Sequence, residues 1–362
     1  MVSSKVNSAA MGRFQLLWIL LLIFGFIGSC DELGIGNEKD SNNNALFPVK
    51  VNNQYGFIDQ TGRMVIEPKF QFAYAFSEGL AAVRFSNRWH FIDDEGDIEI
   101  DGMGSFQELR SFKNGLAPIR IQGRWGFINT RGEVVINPRF RSVTSFSEDR
   151  SFVRSLDFRN WFYINKEGVE LKADLAANGM DEHENTDFKN GRALVKDQNM
   201  YGYLNDKIET VIPINYADAK VFSDNLAAVK ISDRWAYIST DGSIALNPQY
   251  IAADVFSQGM AAVRQASNSF GYINTDGKMV ISEQFDEAMT FSEDRAVVRL
   301  NDRYGVIDKT GNWIVEPTYE QIDSYENGLA KIYRTIVLEN QNTDIWFGYI
   351  NREGKIVWVP SN

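Results

Sequence analysis

Aromatic and basic side chains recur at a regular spacing along this 362-residue chain, and their types suit ligand binding. In the stretch RWGFINTRG, residues 124–132, Trp125 follows a basic residue, and Asn129 opens a turn that ends at Gly132. An aromatic face beside hydrogen-bond donors can stack on a sugar ring, and an Asx oxygen can ligate calcium. The same residues are equally typical of a β-hairpin with cross-strand side-chain pairs.

The stretch is one of nine copies of a single repeat. A second block precedes most copies, as in FSEGLAAVR at 76–84 and FSDNLAAVK at 222–230. Residues spread evenly through similar units indicate an extended surface, whereas an active site normally needs one unit that departs from the others. The copies are 34 to 43 residues apart and begin at Tyr55, Trp89, Trp125, Trp161, Tyr201, Trp235, Phe270, Tyr304 and Phe347.

Each unit is predicted to contain three short strands, such as LAAVRF (80–85), WHFID (89–93) and EVVI (133–136). Two-residue loops such as Asn52-Asn53 tolerate positive φ and predict hairpin turns of the primed type. The pattern Asx-x-x-Gly, as in Asn129 to Gly132, suits a type I turn. One Asx oxygen per turn is far short of the six to eight oxygens that calcium requires, so these residues are interpreted as turn formers.

The hairpin register predicts a candidate ligand platform. The two-residue loops place a basic side chain opposite the aromatic in nearly every unit, and strand alternation puts the motif glycine on the other face, where it would leave room for a neighbouring repeat. Structural packing with a cation–π contribution of about 0.5–1 kcal/mol is the alternative to ligand binding. The platform comprises Tyr55, Trp89, Trp125, Trp161, Tyr201, Trp235, Phe270 and Tyr304 with Arg84, Arg120, Lys230 and Arg299.

The predicted fold is an all-β tandem array of about nine three-stranded β-meander units over residues 46–360, with a degenerate or inserted segment near 169–187. An open solenoid or curved stack is expected, because three strands in about 34 residues are fewer than a propeller blade usually contains. Neither end of the array donates a strand to complete the other end. The alternative is a closed β-propeller.

Residues 1–29 differ in composition from the rest of the chain. Lys5 and Arg13 precede an apolar run at 14–29, which is typical of a secretory signal. Residues 27–30, IGSC, resemble the bacterial lipobox, in which a cysteine after small residues is lipidated and becomes the mature N-terminus. The predicted organisation is therefore a lipoprotein signal peptide at 1–29, with an uncleaved anchor as the alternative.

Cys30 is the predicted lipidation site, and residues 30–45 form the lipidated cysteine and a flexible tether. Because Cys30 is the only cysteine, an internal disulfide or a Cys-based metal site is excluded. The expected location is the bacterial cell envelope, with a lipid anchor in a membrane. The inner membrane, the outer membrane and the surface-exposed leaflet all remain open.

The nine aromatic-Gly copies resemble the WG-repeat family, also called KWG repeats, over about residues 46–359. His90, Phe162 and Ala236 replace the glycine in three copies, so glycine is favoured but not required. The resemblance implies an extracytoplasmic binding or scaffold repeat without a general catalytic assignment.

Charge and motifs narrow the function further. Removal of residues 1–29 leaves 35 basic and 48 acidic residues, a net charge of −13, which disfavours nucleic acid as a partner. The only histidines are His90 and His183, and the acidic run around His183 at 181–184 is interpreted as a solvated loop and not a metal site. No nucleophile elbow, phosphate loop or Cys/His pattern occurs, so neither catalysis nor a cofactor is expected.

The predicted function is a lipid-anchored binding or scaffolding module for a protein or polysaccharide. A structural envelope protein without a glycan ligand is the alternative. A carboxylate-dependent hydrolase is the least favoured hypothesis.

Overall fold

The computed structural model describes residues 45–102, 105–157, 161–171, 187–337 and 343–360. These residues form β-strands and turns, and none of the elements they form is a helix able to cross a membrane. The predicted signal peptide, Cys30, most of the tether and His183 lie outside the described residues.

The strands form nine antiparallel sheets in chain order, which we call blades 1 to 9. In a complete blade a lead strand pairs with the first strand, the first with the second and the second with the third. Blades 1 and 6 have three strands. Blades 1 to 3 comprise Phe47–Val51, Gln54–Ile58 and Met64–Phe70; Phe72–Ala73, Ala81–Phe85, Arg88–Ile92 and Ile98–Asp101; Glu108–Leu109, Leu116–Ile121, Arg124–Asn129 and Val134–Phe140.

The remaining blades follow the same order along the chain. Blades 4 to 6 comprise Ser142–Val143, Ser151–Arg154, Trp161–Ile164 and Glu170–Leu171; Phe188–Lys189, Arg192–Asp197, Met200–Leu204 and Thr210–Tyr216; Leu226–Ile231, Arg234–Ser239 and Ile244–Tyr250. Blades 7 to 9 comprise Ala252–Ala253, Met260–Arg264, Phe270–Asn274 and Met279–Phe285; Glu287–Ala288, Arg295–Leu300, Arg303–Asp308 and Trp313–Tyr319; Gln321–Ile322, Leu329–Val337, Thr343–Asn351 and Ile356–Trp358.

Two-residue loops join the first and second strands of blades 1, 2, 3, 5, 6 and 8 at one end of the blades, which we call the hairpin end. Asn52 and Asn53 have φ values of +48° and +63°, as a type I′ turn requires. The predicted register is confirmed, since Arg84 is the Cα partner of Trp89 and Arg120 that of Trp125. Turn chemistry therefore sets the register of the basic and aromatic residues.

The Asx turns lie at the opposite end, the turn end, because the strands are antiparallel. Asn129 Oδ1 accepts hydrogen bonds from the backbone N–H groups of Arg131 and Glu133, both at 3.0 Å. The N–H of Gly132 donates to the Asn129 carbonyl at 2.9 Å. The interpretation of the Asx residues as turn formers is confirmed.

The motif glycine has a different role from the one predicted. A Cβ on Gly126 would lie 2.4 Å from the Ile136 carbonyl oxygen and 2.7 Å from the Pro138 nitrogen, both in the third strand of its own blade. That strand bulges towards the glycine, because Trp125 pairs with Phe140 while Phe127 pairs with Ile136. The glycine therefore makes room for the bulge and not for a neighbouring repeat.

The blade that replaces this glycine with histidine supports the correction. His90 pairs in regular register with Asp101, so its third strand has no bulge beside it. Proline fits the bulge, as at Pro138, because an unpaired position needs no N–H donor.

The hydrophobic core lies between successive blades. Leu116, Phe127 and Ile136 of blade 3 pack against Val143 and Phe146 of blade 4, and the centroids of the two phenylalanine rings are 4.9 Å apart. The leading aromatic of each FSEG-type block fills this place, which explains its recurrence. Equivalent ring pairs are Phe57–Phe76, Phe91–Phe112, Tyr163–Phe188, Tyr203–Phe222, Tyr237–Phe256 and Tyr272–Phe291.

Blade 9 packs on blade 1 and closes the ring. Phe47, Val49 and Ile58 form one core cluster with Leu329 and Tyr349. A Cβ on Gly62 would meet Val357 of blade 9, just as one on Gly132 would meet Ile100 of the preceding blade. Gln60 Nε2 also donates to the Asn327 carbonyl at 2.6 Å. The structure is a nine-bladed β-propeller.

The preference for an open array was therefore wrong, and the closed alternative is confirmed. A two-residue lead strand, such as Phe72–Ala73, supplies the fourth strand that the sequence does not reveal. Side-chain packing joins blade 9 to blade 1, so closure does not need a strand donated from the other end of the array.

Candidate functional site

The basic–aromatic pairs lie at the hairpin end, on the blade face that packs against the next blade. Trp125 belongs to the core between blades 3 and 4, and Trp235 to the core between blades 6 and 7. The predicted pairs are confirmed as Cα partners for Lys50–Tyr55, Arg84–Trp89, Arg120–Trp125, Lys196–Tyr201, Lys230–Trp235 and Arg299–Tyr304. Arg154 and Trp161 are Cα partners as well, a pair that was not predicted.

Several pairs have cation–π geometry. The Arg264 guanidinium carbon lies 5.0 Å from the Phe270 ring centroid, and that of Arg154 lies 5.5 Å from Trp161. Each such contact contributes about 0.5–1 kcal/mol at a solvent-exposed site. The pairs therefore stabilise the hairpins whether or not they bind a ligand.

The aromatic row is not one continuous platform. Trp125 and Trp235 are only 5% and 8% exposed, so neither offers a ring face to a ligand. The Arg110 guanidinium covers Trp125 at 4.6 Å and donates from Nη1 to the Val143 carbonyl at 2.8 Å. Tyr55, Trp89, Trp161, Tyr201, Phe270 and Tyr304 are half-buried.

Lead-strand carboxylates compensate some of the basic residues. Glu108 is opposite Arg120, and Arg120 Nη1 lies 3.0 Å from Glu108 Oε2. In blade 8 Arg299 Nη2 lies 3.0 Å from Glu287 Oε1. Glu287 also accepts a 2.6 Å hydrogen bond from the Tyr304 hydroxyl, which raises the pKa of that hydroxyl.

Blade 2 departs from this arrangement. Its lead strand places Phe72 opposite Arg84, where blades 3 and 8 have glutamate. Phe72 and Tyr74 are each 37% exposed, and the Tyr74 ring stacks on Trp89 with centroids 6.0 Å apart and planes at 24°. The rings of Tyr55, Phe72, Tyr74 and Trp89 form a connected cluster, which we call the blade 2 patch.

The basic residues beside the blade 2 patch have no carboxylate partner among the described residues. Arg84 is exposed and forms no ion pair with them. Lys50 is also exposed, and its Nζ lies 5.9 Å from the Tyr55 ring centroid. Blade 1 has no described lead strand to place a carboxylate opposite Lys50.

Blade 9 has a modified version of the pair. Tyr333, and not a basic residue, is the Cα partner of Phe347, and Lys331 Nζ lies 4.0 Å above the Phe347 ring. Burial lowers the pKa of Lys331, and the Asp323 carboxylate partly opposes that effect. The Tyr333 hydroxyl donates to Asp323 Oδ2 at 2.6 Å.

One acidic group among the described residues has ligand atoms close enough for a metal ion, at Asp93, Glu95 and Asp97. Asp93 Oδ1 already accepts hydrogen bonds from the N–H groups of Glu95 at 3.0 Å and Asp97 at 2.9 Å, as in the other Asx turns. His90 is buried, with Nδ1 3.2 Å from Asp101 Oδ1.

The family model described as WG containing repeat matches more than half of the chain, at residues 55–89, 91–125, 125–155, 201–235, 235–268, 270–304 and 304–333. The chain belongs to the WG-repeat family. No curated protein sequence matches it.

Solved structures with 9 to 11% identity resemble this WG-repeat protein in fold. Dihydro-heme d1 dehydrogenase NirN aligns over 89% of this chain and 74% of its own, with a TM-score of 0.43. Kluyveromyces lactis Hsv2 aligns over 84% of this chain and 95% of its own, with a TM-score of 0.32. BamB from Moraxella catarrhalis aligns over 73% of this chain and 94% of its own, with a TM-score of 0.35. These likenesses identify no ligand.

Sequence reasoning missed the blade 2 patch of this WG-repeat protein. It named Tyr55, Trp89 and Arg84, but not Phe72 or Tyr74. The detectable signal was the aromatic pair in QFAYAF, residues 71–76, at positions where blade 3 has Glu108 and Arg110. Aligning the lead strands, whose existence was not predicted, would have exposed it.

Proposed function

We propose that this WG-repeat protein is a binding or scaffolding module, anchored by a lipid on Cys30 to a membrane of the bacterial cell envelope, and that a protein or polysaccharide binds at its hairpin end. The observation that carries the proposal is the blade 2 patch, a solvent-accessible aromatic cluster beside uncompensated cations. Aromatic residues and arginine are enriched where proteins bind partners. The propeller holds these side chains in fixed positions, which lowers the entropic cost of binding.

Anchoring is supported by residues 27–30, IGSC, and by the net charge of −13 after residue 29, which disfavours direct adsorption to an anionic membrane. Fractionation of native cells tests it. The wild-type protein should be in the membrane fraction, and Cys30→Ser should lose lipidation. Wild-type protein in the soluble fraction would contradict the anchor.

Ligand binding is tested with the full-length protein in detergent. Crosslinking in cells followed by membrane pull-down should recover a defined protein partner, or a screen of purified polysaccharides should give a saturable signal. A protein partner without any glycan signal would favour the structural role in the envelope. Failure of both assays would contradict the proposal, in which the chain acts without catalysis or a cofactor.

A further inference from the structure

Resting on the binding function proposed above, we propose that the blade 2 patch binds an acidic polysaccharide, with sugar rings against the aromatic cluster and carboxylates paired with Arg84 and Lys50. The ring centroids are 5.6 Å apart for Tyr55 and Phe72, 4.9 Å for Phe72 and Tyr74, 5.9 Å for Phe72 and Trp89 and 6.0 Å for Tyr74 and Trp89. The cluster therefore extends across the junction of blades 1 and 2, which suits a polymer better than a single small ligand.

Comparison between blades separates this patch from the structural ladder. In five blades one lead-strand residue lies opposite the basic residue of the first strand. These residues are Phe72, Glu108, Ser142, Ala252 and Glu287. Glutamate at this position neutralises the arginine in blades 3 and 8, with nitrogen–oxygen distances of 3.0 Å. Phenylalanine in blade 2 leaves the Arg84 charge available and adds an exposed ring beside it.

The second difference lies two residues later in the chain. Tyr74 stacks on Trp89 where, in blade 3, Arg110 covers Trp125 and bonds to the next blade. Trp125 is consequently buried, whereas Trp89 is half-buried beside the exposed Tyr74. Blade 2 thus differs from blade 3 at two positions, and both differences favour an accessible aromatic surface.

The patch is held in place before any ligand binds. Gln71 accepts a 2.7 Å hydrogen bond from the Asn87 N–H and donates to Asn87 Oδ1 at 3.0 Å, which fixes the hairpin loop between Arg84 and Trp89. Phe85, 38% exposed, packs on Phe70 beside the same loop. Ring contacts and loop contacts together restrict the rotamers that binding would otherwise have to order.

The chemistry of the patch selects an anionic sugar polymer. The apolar faces of pyranose rings complement aromatic rings, while a uronic acid carries a carboxylate that arginine can bind in a bidentate manner. The net charge of −11 means that attraction of an acidic polymer depends on this local pair of cations and not on the protein as a whole. Binding should weaken as salt screens the exposed charges.

The test measures retardation of the full-length protein, in detergent, by gels that contain polygalacturonate. Phe72→Glu introduces the residue found in blades 3 and 8 and should pair with Arg84, so affinity should fall by about tenfold or more. Ser142→Glu makes the same change at the equivalent position of blade 4, opposite Arg154, and should leave affinity unchanged. Arg84→Gln, which preserves the rings, should also weaken binding.

Denaturation curves confirm that each variant is folded before binding is compared. Retardation of wild type and Phe72→Glu to the same extent would overturn the patch as the site, although the broader binding function would survive if polygalacturonate still bound. Equal retardation by neutral dextran would overturn the requirement for charge. Equal competition by polyglutamate would identify an acidic peptide ligand and overturn the sugar assignment.

Discussion

The hydroxyl of Tyr349 donates a 2.9 Å hydrogen bond to the carbonyl of Pro48, 301 residues away in the chain. In blade 2 the equivalent carbonyl, that of Ala82, accepts from the N–H of Tyr74, which follows the lead strand. Because blade 1 has no described lead strand, a side chain from blade 9 takes this place. The bond therefore replaces a missing backbone interaction at the seam of the ring.

Removal of the seam hydroxyl tests ring closure. Tyr349→Phe should destabilise the fold by about 0.5–1.5 kcal/mol, because the Pro48 carbonyl loses its donor. The matched control is Tyr237→Phe, whose hydroxyl donates to the Asp254 carbonyl at 2.7 Å between blades 6 and 7. Urea denaturation should show similar losses for both. A loss for Tyr237→Phe alone would contradict a closed ring in solution.

The role of the motif glycine can be tested within one blade. Gly126→Ala should cost about 1–3 kcal/mol, because its Cβ would overlap the third-strand backbone near Ile136 and Pro138. Ala236 occupies this position naturally in blade 6, and Ala236→Gly should cost only about 0.5–1 kcal/mol. Unfolding free energies measured by denaturant titration provide the comparison. A negligible effect of Gly126→Ala would show that the bulge adapts.

Buried tyrosines predict a loss of stability at high pH. Burial raises the pKa of Tyr272 above its ordinary value of 10.0, with a smaller contribution from Asp254. The unfolded chain loses this proton as the pH rises through 10.0 while the folded chain retains it, so stability present below pH 10.0 declines above it.

Tyr272→Phe should reduce that decline. Below pH 10.0 the Tyr272→Phe variant should be less stable than wild type, because it lacks the 2.7 Å hydrogen bond to the Met289 carbonyl. The difference in free energy of unfolding between wild type and Tyr272→Phe should be smaller at about pH 11 than at about pH 8, as measured by urea denaturation. A constant difference would contradict the assigned titration.

The Asx turns should depend on their side-chain oxygen and not on calcium. Asn129→Ala removes the acceptor for the Arg131 and Glu133 N–H groups and should cost about 1 kcal/mol. Thermal unfolding with calcium and with a chelator should give the same midpoint. A higher midpoint in calcium would instead indicate a bound ion, for which Asp93, Glu95 and Asp97 are the candidate ligands.

Local features of this fold were predictable because they depend on residues close in sequence. Positive φ at Asn52 and Asn53 follows from side chains that tolerate it, and the loop length then pairs Lys50 with Tyr55. The lead strands were not predictable by periodicity, because two residues such as Phe72 and Ala73 cannot establish a period. Without them each unit appeared to have too few strands for a propeller blade.

The accessible part of the site depended on long-range packing. Trp89 and Trp125 occupy the same position in the repeat, yet one borders the exposed Tyr74 and the other lies beneath Arg110. Their difference arises from residues in the preceding lead strand, outside the motif that drew attention to both. Repetition in the sequence therefore predicted the row but not which member reaches solvent.

Contacts between turns at the turn end also affect how this ring can be engineered. Glu78 accepts a hydrogen bond from the Gly115 N–H at 2.9 Å, and Glu293 accepts one from Gly328 at 2.8 Å, each linking a blade to the next. Blades 9 and 1 are also joined by side-chain hydrogen bonds, from Gln60 and from Tyr349, without an exchanged strand. A circular permutant that links residue 360 to residue 45 and begins at another hairpin loop should consequently retain the same ring.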